Sequence, residues 1–95
     1  MNIMSIIEKH FGEYTFPESP ADWGKNYETV MKVIEEFEET IPERENGYKD
    51  GNFVVQNAFT LRDEMDALAG KNQLKKFSFL YAVHLEYGDY FNIYA

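Results

Sequence analysis

Few side chains in this chain have the chemistry for catalysis, and their spacing does not assemble them. His10 and His84 are the only imidazoles. A metal role for His10 with Glu13 is interrupted by Gly12, whereas a histidine at a helix C-terminus is favoured simply by the negative end of the dipole. His84 with Glu86 makes a conceivable general-base pair, although a half-buried structural histidine is the simpler account. Asp63, Glu64 and Asp66 are hard-cation ligands by type, but they lack calcium-loop spacing and would stabilise the first turn of a helix. Ser5, Ser19 and Ser78 stand outside any Gly-x-Ser-x-Gly elbow. The glycines at 12, 24, 47, 51, 70 and 88 form neither a dinucleotide fingerprint nor a phosphate loop. With no cysteine there is no disulfide, thiolate zinc site or cysteine nucleophile. The expectation is therefore no enzyme, no metal and no cofactor. A small hydrolytic or metal-binding domain, built on His84 with Glu86 or on the 63–66 acids, is the alternative.

Charge is the more informative property. Seventeen acids against nine bases give 95 residues a net charge of −8 and a pI near 4.6. Such a field repels phosphates and anionic lipid, which argues against direct binding to nucleic acid or membrane and favours a basic protein as partner. Residues 18–50 hold ten acids and four bases. Within them Glu35, Glu36, Glu38 and Glu39 occupy the last turns of a predicted long helix, where the dipole disfavours anions. Glu35 also faces Glu38 and Glu39 at like-charge spacings. Together these placements cost about 1–2 kcal/mol, partly offset by Glu28–Lys32 and Lys32–Glu36 pairs. Four carboxylates over about 6 Å of helix axis give roughly one charge per 1.5 Å, close to the roughly 1.7 Å of duplex DNA. Local rules broken in this way mark functional surface, the plainer reading being a solvated face that confers solubility.

Tyrosines add to the pattern. Tyr87 and Tyr90 flank Gly88-Asp89, and Tyr48 lies in a polar loop; tyrosine beside acid suits an Arg- or Lys-rich protein surface. The expected partner-binding set is Glu28, Glu35, Glu36, Glu38, Glu39, Glu43, Glu45, Tyr48, Tyr87 and Tyr90. They would serve a small acidic inhibitor that occludes a basic nucleic-acid-binding site on another protein, as a mimic of DNA. In size and charge the chain is similar to phage and plasmid inhibitors of restriction or CRISPR enzymes and to immunity proteins against nuclease toxins. That likeness is compositional and transfers no residue. An accessory interaction module without inhibitory role is the blander alternative.

The elements that must position these residues are unevenly legible. Ile3, Ile6, Ile7 and Phe11 make one stripe, predicting a helix over 2–11 stopped by Gly12. Ser19-Pro20-Ala21-Asp22 reads as a capped start, and Trp23, Tyr27, Val30, Ile34, Phe37 and Ile41 predict a core-facing helix over 20–40 that Pro42 ends. Residues 42–52 read as a polar loop with turns at Asn46-Gly47 and Asp50-Gly51. Phe53, Val55 and Phe59 alternate as a strand over 53–59, feeding a helix at 61–69 capped by Thr60 with Asp63 and stopped by Gly70. Phe77, Phe79, Tyr81, Val83 and Leu85 alternate strictly, predicting a hairpin that turns at Gly88-Asp89, returns to Tyr94 and keeps Phe79 and Tyr81 internal. The sum is an α+β domain spanning 1–95. An all-α four-helix bundle is the alternative, because Val54, Ala58, Leu61, Met65 and Leu68, and likewise Leu74, Phe77, Tyr81 and Leu85, also fit a helix. The start Met1–Ile7 lacks a basic region, and the longest apolar run, Phe79–Val83, falls far short of the roughly 20 residues of a membrane helix, so a cytoplasmic protein is expected.

Overall fold

Asn2 starts α1 (Ile3–His10) by accepting the Ser5 amide on Oδ1 at 3.0 Å, and Ile3, Ile6 and Ile7 are wholly buried. In this computed structural model, which describes residues 2–45 and 47–93, a 3-10 turn at Phe11–Glu13 follows α1. Gly12 lies in that turn and not in the left-handed region. α2 covers Pro20–Thr40, the predicted range, with Pro20 in its first turn and Ile41 extended ahead of Pro42. Ser19 makes no side-chain cap; Asp22 reaches back to the Glu18 amide at 3.2 Å instead.

The second half corrects the α+β expectation. α3 spans Gly51–Leu68 and α4 spans Leu74–Phe91, and no strand forms among the described residues, only an isolated bridge between Glu43 and Lys49. The strand expected at 53–59 is helix because Asp50 caps it: Oδ1 accepts the Asn52 and Phe53 amides at 3.0 and 3.4 Å. Asp50-Gly51 therefore opens a helix where a turn was expected, and Thr60, the expected cap, sits mid-helix with its hydroxyl on the Gln56 carbonyl. Gly70, at φ 79°, follows the C-cap as expected.

The hairpin of the C-terminal segment is likewise absent. Phe79, Leu80, Val83 and Tyr87 are buried at helical spacing, while Tyr81 and Leu85 face out. Strict alternation arose because α4 is apolar on two faces. Gly88 is buried inside α4, and Asn92, at φ 54°, supplies the left-handed end with the Ile93 amide on the Gly88 carbonyl. Tyr94, where the return strand was to end, lies outside the described residues.

The four helices pack in the ring order α1, α2, α4, α3. Phe37 anchors the centre, its ring 5.6 Å from Phe53, 5.4 Å from Tyr87 and 5.9 Å from Phe91. Val30 lines one cleft with Ala82 and Leu85, and Phe37 packs on Tyr87 and Phe91 further on, so α2 and α4 run in the same direction. Two buried asparagines fix the remainder. Asn57 accepts the Ile3 amide on Oδ1, tying α1 to α3, and Asn26 clamps both backbone groups of Thr15 to α2. No helix of the described residues is long and apolar enough to cross a membrane.

Candidate functional site

The acidic quartet of α2 divides. Glu36 turns toward α1, where its carboxylate accepts Lys9 Nζ at 2.6 Å and meets His10 Nε2 at 2.7 Å. Those two contacts hold its carboxyl below the ordinary range despite partial desolvation. Lys32, the expected partner of Glu28 and Glu36, instead reaches Glu13 at 3.5 Å. Glu28, Glu35 and Glu39 remain exposed, Glu38 is half-buried, and none of the four takes part in an ion pair among the described residues. The helix has no base of its own in its last turn, but Lys49 donates to the Glu38 carbonyl at 3.2 Å and compensates part of the dipole.

Tyr90 joins this edge. Tyr90 lies beside Glu38, and hydrogen bonding toward that carboxylate, followed by burial and the charges of Glu38 and Glu35, raises the phenol above its ordinary value. Glu43 and Glu45 continue the acidic surface into the loop beyond α2, together with the open ring of Tyr48. Arg44 is held by Asp50 at 3.3 Å. Tyr87 does not belong to the surface. It is 0% exposed, packs on Phe37 and Phe91, and donates its hydroxyl to the Val54 carbonyl at 2.5 Å. A helix turns position 87 inward where the expected hairpin would have left it beside a turn.

The candidate catalytic groups stay dispersed. His84 lines a small depression with Arg62, Met65 and Asp66, whereas Glu86, two residues on, faces α2 from the other side of α4. Burial, then the Arg62 charge, lowers the His84 pKa. Asp63, Glu64 and Asp66 are exposed in the C-terminal half of α3, not in the first turn of a helix, and no metal-binding group of three such side chains occurs among the described residues. His10 ends α1 as expected, with Glu36 as its nearer carboxylate and Glu13 at 3.5 Å.

One feature of the surface was misread as core. Trp23 and Tyr27, which open the apolar period that predicted the α2 helix, are 63% and 56% exposed, and Tyr81, expected inside, is 48% exposed. The cause is helix length. α2 has 21 residues, about 31 Å, against eight residues, about 12 Å, in α1, so the N-terminal turns of α2 outrun the helix that should cover them. Tyr14, Pro17, Trp23, Tyr27 and Leu85 thereby enclose a cleft of about 280 Å³ between α2 and α4, with Glu86 on its wall. Comparing the predicted helix lengths would have revealed it. No protein-family model matches the chain, and comparison with curated proteins and with solved structures finds no significant match.

Proposed function

We propose that this protein is a small acidic inhibitor that binds another protein and occludes its basic nucleic-acid-binding surface. The observation that carries the reading is the outward edge of α2, where Glu35, Glu38 and Glu39 oppose the helix dipole and their carboxylates form no ion pair among the described residues. The parallel course of α4 strengthens it, because Glu86 and Asp89 lie in the C-terminal half of that helix and Tyr90 reaches Glu38. The partner is a protein rich in lysine and arginine, no catalytic step or cofactor is assigned, and its place of action is the cytoplasm.

The test is competition. Partner captured on the immobilised protein at low salt should be released by short duplex DNA, and its own nucleic-acid binding should be blocked in the complex. Capture should fall about tenfold or more for the E35Q/E38Q/E39Q variant. A partner that still binds nucleic acid in the complex, or undiminished capture by the variant, would refute occlusion.

A further inference from the structure

We infer that the cleft between the N-terminal half of α2 and α4 is an anchoring groove for a basic amphipathic helix of the partner. This rests on the proposed function above and specifies the partner's chemistry. The walls are apolar and open: Trp23, Tyr27 and Leu85 each leave half or more of their surface to solvent. Tyr14 and Pro17 close the end, held by the Tyr14 hydroxyl on Ser78 Oγ at 2.5 Å and by the Asn26 clamp on Thr15. The groove is thus built on hydrogen-bonded supports and does not depend on a loose loop.

Charge selects the occupant. Glu86 lines the cleft, and Tyr27 also borders an adjoining depression with Glu28, Met31, Glu35 and Lys32, whose ammonium is drawn to Glu13 at 3.5 Å. Apolar anchors at helical spacing would enter between Trp23, Tyr27 and Leu85 while flanking lysines or arginines meet Glu28, Glu35 and Glu86. A second copy is the wrong occupant, because in a two-fold contact these acids would face themselves on molecules of net charge −8. A small apolar ligand fits less well. The volume lies at the lower edge of the roughly 300–1,000 Å³ of such sites, and a neutral molecule makes no use of the acidic rim.

Trp23 is the only tryptophan, so its emission reports occupancy directly. The probe is a synthetic amphipathic helix of leucine and lysine, compared with a lysine/serine peptide of equal charge and with a leucine/glutamate peptide. Leucine/lysine should bind saturably and shift Trp23 emission to the blue. Affinity should drop about tenfold in Y27S/L85S, whose exposed positions leave the circular dichroism unchanged, and about tenfold in E28Q/E35Q/E86Q. Equal binding of lysine/serine, without a spectral shift, would overturn the groove and leave the acidic-surface reading standing. Failure of both lysine peptides to bind would overturn both. Equal binding of leucine/glutamate, or self-association in sedimentation that Y27S/L85S abolishes, would refute a basic occupant.

Discussion

At the scale of single residues, position on a helix decides whether an aromatic or an acid is structural. Phe37 was legible as core because it sits in a run of apolar residues spaced 3 and 4 apart, and it is fully buried against three rings. Phe37→Ala should cost about 3–5 kcal/mol in chemical denaturation. Tyr87 was not legible, since its inward direction follows only from α4 being a helix. Tyr87→Phe should cost about 1 kcal/mol, because the Val54 carbonyl loses a buried donor, and should leave partner binding unchanged. Glu36 has a pH signature. Its folded-state pKa lies below the ordinary carboxylate value, so its stabilising contribution is complete above that ordinary value and disappears as pH falls through the lowered one. The carboxyl of Asp50, partly desolvated but held down by Arg44 and the Phe53 and Asn52 amides, acts in the same direction. The melting temperature should fall on acidification below about pH 4.5, and E36Q should flatten that fall.

At the scale of elements, legibility followed punctuation. α2 was read to the residue because Pro20 and Pro42 bracket one unbroken apolar period. α3 and α4 were read as strands in part because Val55, Phe59, Tyr81 and Leu85 put apolar side chains on a second, solvent-facing side, and that mixture imitates alternation. The deciding signals were the Asp50 cap and the Asn92 stop, both compatible with turns in the sequence alone. α2 also carries the opposed-sign prediction. E35Q/E38Q/E39Q removes carboxylates from the wrong end of a helix dipole and should stabilise the fold by about 0.5–1.5 kcal/mol in denaturation, while weakening partner binding. A solvated face would yield the gain without the loss. Glu36 was grouped with these three by sequence adjacency; E36Q should instead destabilise, because Lys9 and His10 lose their charged partner.

At the scale of the whole molecule, charge is arranged along the bundle. Lys71, Lys75 and Lys76 precede or begin α4, with Lys75 and Lys76 over the Phe11 ring, while Glu86 and Asp89 lie toward its other end near the acidic end of α2. Partner association should therefore weaken as salt rises, mostly through the association rate, since rim charges act on encounter. The proposal of a basic partner rests on composition alone, through the net charge of −8. The proposed location of the contact needs the structure, because the sequence offers two acidic clusters, on α2 and at Asp63, Glu64 and Asp66 of α3, and Glu28 and Glu35 of α2 share a depression with Tyr27, a wall of the cleft between α2 and α4. An amide chemical-shift titration of the labelled protein with the leucine/lysine helix separates them most directly. Shifts should gather on residues 23–39 of α2 and 82–90 of α4, with residues 63–66 unmoved. Shifts of equal size around Asp63, Glu64 and Asp66, or shifts confined to them, would contradict this placement.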